Sequence, residues 1–125
     1  MKIPTFGRVQ LKIMQTLWKR GKATAREVTA DLSGQEKIAH STVQTLLRKL
    51  EVKGAIAHQV KGRTFVFYSL VEKEKVTTCA TREFMRGMFA GSAYGLVAHL
   101  MKHEKVCKEE LARIRRLLEK EEEVV

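Results

Sequence analysis

The residues best suited to chemistry lie in one short run, Ser41-Thr42-Val43-Gln44-Thr45-Leu46-Leu47-Arg48-Lys49-Leu50. At about 100° per residue in a helix, Val43, Leu46, Leu47 and Leu50 form one stripe. Ser41, Gln44, Thr45 and Arg48 fall opposite it, flanked by Thr42 and Lys49, and no carboxylate appears until Glu51. Such a face carries hydroxyls, an amide and a guanidinium. Gln pairs with adenine, Arg with guanine, and Ser or Thr with either base edges or backbone. By itself the pattern fits base readout and an ordinary solvated helix face equally well.

Other chemistries find less support. His99, His103 and Cys107 stand at i, i+4 and i+8, the spacing of metal donors on a continuous helix. Cys107, however, falls at an expected junction before Glu109-Glu110, so no metal or other cofactor is assigned. Cys79 reads as a small core residue, and His40 and His58 as core or rim residues with phosphate contact as the alternative. No Gly-rich phosphate loop, nucleophile elbow or H-E-x-x-H motif is present, and Asp31 is the only aspartate. The sequence is not read as an enzyme.

The elements that must position the polar run are legible around it. Leu11, Met14, Leu17 and Trp18 predict a first helix over roughly Gly7–Arg20, ended by Gly21. Thr24-Ala-Arg-Glu27 has the form of a capping box for a second helix reaching about Leu32, broken by Ser33-Gly34-Gln35. A second such box, Ser41-Thr-Val-Gln44, is expected to open the third helix, which Gly54 closes. Ala55–Val60 and Thr64–Ser69 have strand character, with Lys61-Gly62-Arg63 as a basic turn between them. Three short helices and a hairpin make a winged helix-turn-helix, with the third helix in the major groove and the wing at the backbone. The hairpin tips the polar run toward DNA readout by Ser41, Thr42, Gln44, Thr45, Arg48 and Lys49, with Lys61 and Arg63 on the wing.

Composition agrees. The chain has 125 residues, 44% hydrophobic and 30% charged, with 24 Lys and Arg against 14 Asp and Glu and a net charge of +10. Residues 1–70 hold 13 basic and 4 acidic residues, a net of +9; residues 71–125 hold 11 and 10, a net of +1. That asymmetry marks the first segment as the one that meets a polyanion. One Trp, two Tyr and five Phe are too few for a base-stacking platform. Two cysteines make no disulfide framework, and Gly87–Met101, the longest stretch without Asp, Glu, Lys or Arg, is too short to span a membrane. With no signal-type apolar start, the expected location is the cytoplasm, without membrane insertion.

Residues 71–125 read as helices with unsatisfied apolar faces. Val76, Ala80, Phe84 and Met88 step by four; Gly91-Ser92 stops one helix and caps the next, which carries Leu96 and Leu100; Leu111, Ile114 and Leu118 share a face of a third. So short a segment makes a poor core alone, and pairing with a twin would cover these faces. The predicted organisation is mainly α with a small β-hairpin: a winged-helix DNA-binding domain at 1–70 and a helical dimerisation region at 71–125. Phe84, Met88, Phe89, Leu96, Leu100, Leu111, Ile114 and Leu118 are its candidate interface.

Leu17-Trp18, Thr24-x-x-Glu27-Val28, Thr42-Val43-Gln44-Thr45-Leu46-Leu47 with Lys53-Gly54, and Gly62-Arg63-x-Phe65-x-x-Tyr68 together resemble the penicillinase-repressor family of BlaI/MecI-type winged-helix repressors. The likeness continues through Phe84, Phe89, Gly91-Ser92 and Glu109-Glu110-Leu111. It implies a homodimeric repressor on dyad-symmetric double-stranded operators, with Thr42, Gln44, Thr45 and Arg48 in the groove and Arg63 on the wing. The resemblance also implies a regulatory membrane protease, because penicillinase-type members are cut at an Asn-Phe bond. Here His99-Leu100 stands at that place and the paired cysteines of copper-responsive members are absent, so cleavage at His99-Leu100 and the inducing signal both stay open. Competing readings are a non-specific architectural winged helix and a winged helix that docks another protein.

Overall fold

The computed structural model describes residues 3–124. Among them, six helices and three strands follow in the order α1 (Arg8–Arg20), β1 (Lys22–Thr24), α2 (Ala25–Ser33), α3 (His40–Val52), β2 (Ile56–Lys61), β3 (Thr64–Ser69), α4 (Lys73–Phe89), α5 (Ala93–His103) and α6 (Lys108–Val124). The chain divides into two compact units, Met1–Thr81 and Arg82–Val125, so the division falls inside α4.

In the first unit, Gly21 ends α1 at φ +83°, a conformation that glycine adopts without a Cβ penalty. Thr24 then caps α2 reciprocally: Glu27 N–H donates to Thr24 Oγ1 at 3.1 Å, and Thr24 N–H donates to Glu27 Oε1 at 2.9 Å. The box predicted for α3 does not form. Ala39 occupies the extended N-cap position, without a side-chain bond, and Ser41 lies one residue inside the helix. The start is drawn forward by Ile38, which packs on the core, and by His40, whose Nδ1 lies 2.9 Å from Thr29 Oγ1.

Packing the three helices buries Ile13, Met14 and Leu17 of α1, Val28 and Leu32 of α2, and Val43, Leu47 and Leu50 of α3. Each such side chain contributes about 1.5–3 kcal/mol on burial. Leu11, expected on this stripe, is exposed, and Ile13 takes the inward place. The Trp18 indole N–H reaches Ser69 Oγ at 3.1 Å and the Val71 carbonyl at 3.0 Å, fastening α1 to the end of the hairpin.

The sheet has three strands rather than the two of the hairpin, in the order β1-β3-β2. The unanticipated β1 pairs antiparallel with β3, Lys22 opposite Tyr68 and Thr24 opposite Val66. In the hairpin Val60 faces Phe65 and Lys61 faces Thr64, so Lys61 ends the strand and the turn is Gly62-Arg63 alone. Gly62 has φ +64° and Arg63 does not share the positive sign, the pattern of a type II′ turn matched to strand twist. The architecture is a winged helix-turn-helix followed by further helices.

Cys79 is exposed on α4, not in the core, because Val76 takes the buried place on that helix. In the second unit, Gly91 at φ +80° follows the end of α4, and Ser92 Oγ accepts the Gly95 N–H at 2.9 Å to cap α5. Phe89 packs edge-on to Phe84 and to His99, each with centroids 5.7 Å apart. Among this unit's described side chains none is buried. No described helix is long and apolar enough to cross a membrane.

Candidate nucleic-acid interface

Because the apolar stripe of α3 is anchored in the core, its opposite face has to point outward. Ser41, Thr42, Gln44, Thr45, Arg48 and Lys49 are all exposed. With Ala39 at the N-cap, the Ser41 hydroxyl is not committed to the helix end. Thr45 Oγ1 donates to the Ser41 carbonyl at 3.0 Å, which leaves it lone pairs and a methyl group to offer outward.

Between α3 and the wing runs a groove of about 620 Å³. Gln44 and Arg48 enter it from α3 and Arg63 from the hairpin turn, with Leu47 and Phe67 among its apolar lining. Three of the predicted residues thus share one concave surface. Ser41, Thr42, Thr45, Lys49 and Lys61 are exposed but do not line it. Arg26, from the first turn of α2, and His40, from the first turn of α3, line it as well. Arg26 follows Ala25 directly after the Thr24 cap, a place that presents it outward; sequence spacing gave no link from there to Arg48.

The electrostatics follow from where the acids are. Residues 1–70 contain four carboxylates, Glu27, Asp31, Glu36 and Glu51. Arg8 grips Glu36 at 2.6 and 2.7 Å and Lys12 joins at 3.0 Å. The Arg8 hydrogen bond, then that of Lys12, holds the Glu36 carboxyl down at about 2. Arg20 holds Asp31 below the usual carboxylate range, and the Thr24 N–H does the same for Glu27. Glu51 is bonded to His58 Nδ1. No ion pair among the described residues takes Arg26, Arg48, Lys49, Lys61 or Arg63. The cations of the groove and wing therefore face outward without an anionic partner. This is what a phosphate-binding surface requires.

The metal-donor spacing does not survive folding. His99 and His103 bring their rings to 4.4 Å between centroids, but α5 ends at His103 and Cys107 sits in the next connection. Among the described residues no group of three His, Cys, Asp or Glu is placed to hold a metal ion.

The family model for the penicillinase repressor matches residues 6–120, nearly the whole chain. The chain belongs to the penicillinase repressor family. It is similar to the penicillinase repressor of Bacillus licheniformis, 26% identical over 118 residues that cover 94% of this chain and 92% of that one. The solution structure of the DNA-binding domain of the repressor BlaI aligns at a TM-score of 0.53 and 33% identity, over 58% of this chain and 88% of that chain. The monomeric form of Bacillus licheniformis BlaI in complex with the blaP half-operator aligns at 0.51 and 33%, over 58% of this chain and 89% of that chain. This member of the penicillinase repressor family is a DNA-binding transcriptional repressor, a role that is not catalytic.

Proposed function

We propose that the protein represses transcription by binding, as a homodimer, a dyad-symmetric operator in double-stranded DNA in the cytoplasm. Residues 1–70 are the DNA-binding domain. Gln44 and Arg48 read base edges in the major groove, with Ser41, Thr42, Thr45 and Lys49 contacting bases or backbone beside them. Lys61 and Arg63 bind phosphate from the wing. The observation that carries this reading is the groove shared by Gln44, Arg48 and Arg63, whose cations have no acidic partner. The half-operator bound by the Bacillus licheniformis relative supports it.

Residues 71–125 serve dimerisation. Phe84, Met88, Leu100 and Leu118 are exposed, and Phe89, Leu96, Leu111 and Ile114 are only half-buried. A second copy would cover these faces, and two-fold symmetry then sets two α3 helices on successive turns of the major groove. A purely architectural role would draw on Lys and Arg alone, whereas here uncharged hydrogen-bonding side chains occupy the exposed face of the helix. DNase footprinting upstream of the protein's own gene and its neighbours tests the proposal. It predicts protection of a short inverted repeat; equal competition by random duplex at physiological salt would leave only the architectural role.

A further inference from the structure

The reading groove holds one carboxylate, and an imidazole holds that carboxylate. Glu51 lies in the last turn of α3 and His58 in the middle of β2, with His58 Nδ1 bonded to Glu51 Oε1. The His58 ring stacks on Phe65 with centroids 4.1 Å apart and 11° between planes, and packs on Phe67 at 5.7 Å. This fixes the ring from the sheet side while its nitrogen reaches the helix. The His58 and Glu51 side chains keep 27% and 36% of their surface exposed, so solvent and ligand reach the pair. The charged and titratable groups around the same groove are Arg26 of α2, His40 and Arg48 of α3, and Arg63 of the turn.

A free carboxylate one helical turn from Arg48 would compete with DNA for the guanidinium and repel phosphate. We propose that His58 is a positioning residue of the DNA groove: it draws Glu51 toward β2, leaves Arg48 free for DNA, and couples operator affinity to pH. The inference rests on the proposed DNA-binding role of the groove. With the imidazole protonated, the pair carries no net charge. With it neutral, the bond persists but the groove gains one negative charge. DNA phosphates favour the first state, so affinity falls as pH rises. One coupled proton sets a ceiling of about tenfold in Kd per pH unit.

The test is the Kd of the full-length protein for a duplex carrying the footprinted repeat, from about pH 5.5 to about pH 8 at constant ionic strength. Wild type should weaken several-fold across this range. His58→Gln, which keeps a hydrogen-bond donor but does not titrate, should flatten the profile, and Glu51→Gln should bind more tightly than wild type at the alkaline end, where the wild-type carboxylate is uncompensated. His40 lines the same groove, so His58→Gln should lose more of the wild-type slope than His40→Gln does, which separates the two imidazoles. A flat wild-type profile, or an undiminished slope in His58→Gln, would overturn the proposal. If His58→Gln melts early by circular dichroism, Glu51→Gln decides the matter alone, and binding there no tighter than wild type at the alkaline end overturns it too. Loss of repeat-specific binding at every pH would instead count against the DNA-binding role itself.

Discussion

Arg20 holds Asp31 in a fork, Nε to Oδ2 at 2.7 Å and Nη2 to Oδ1 at 2.9 Å, and its Nη1 reaches Glu27 at 3.1 Å. One guanidinium thus gathers two of the four carboxylates of residues 1–70, while Arg8 and Lys12 take a third. Arg20 and Asp31 line a different groove, with Lys12 and Leu32, from the one that contains Arg48 and Arg63. These acids tie α1 to α2 and to the turn after it, and the cations of α3 and the wing are left without an acidic partner.

These bonded carboxylates predict acid sensitivity. Glu27, Asp31 and Glu36 all titrate lower in the folded chain than their ordinary values, so each stabilises the fold above the usual carboxylate range. That contribution is lost as pH falls from about 4.5 to about 2. Thermal unfolding at low salt should show Tm dropping through that window. Glu36→Gln should lower Tm at neutral pH and leave it close to wild type at pH near 2.

Arg48 and Lys61 should fail differently. Arg48→Ala removes the guanidinium proposed to read bases, so operator affinity should fall by about 1–3 kcal/mol and discrimination at one position should relax. Lys61→Ala should weaken all duplexes alike and reduce the slope of log K against log salt by about one. Titrations on operator and random duplex at several salt concentrations distinguish the two.

The wing depends on Gly62. Its φ of +64° is strained for any L side chain, although a Cβ there would meet nothing within 4 Å. Gly62→Ala should therefore cost about 1–2 kcal/mol through the backbone alone. Urea unfolding measures that cost, and DNA affinity should fall with it because Arg63 follows directly in the turn.

Much of this was legible in the sequence because it is local. Gly21, the Thr24–Glu27 box, the Val43–Leu47–Leu50 stripe and the strand character of Thr64–Ser69 each report on a few neighbouring residues, and each stands where its pattern places it. Non-local pairing was not legible. Three residues, Lys22–Thr24, are too few to show alternation, and β1 exists because β3 offers it an edge. The α3 start moved because Ala39 adopts the N-cap geometry that the Ser41 box would have claimed. Within the site, the polar face of α3 could be counted off at helical spacing. Arg26 and His40 join the groove, and His58 finds Glu51, only when the wing folds against the helix. No interval along the chain encodes those meetings.

The exposed faces of α4 and α6 predict self-association. Met88 and Leu118 keep 71% and 59% of their surface, an apolar load seldom left open on a monomer. Sedimentation equilibrium at micromolar concentration should give a dimer for wild type. Met88→Asp with Leu118→Asp should give a monomer that stays folded and binds a half-site far more weakly than the dimer binds the full repeat.

In the proposed function, α3 reads sequence while the wing holds the backbone. Selection of bound duplexes from a fully random library by wild type and by Arg48→Ala tests it most directly. Wild type should enrich one inverted repeat, and Arg48→Ala should enrich the same repeat with one symmetric pair of positions degenerate. Enrichment of no common sequence by wild type, or an unchanged repeat from Arg48→Ala, would contradict sequence reading by α3.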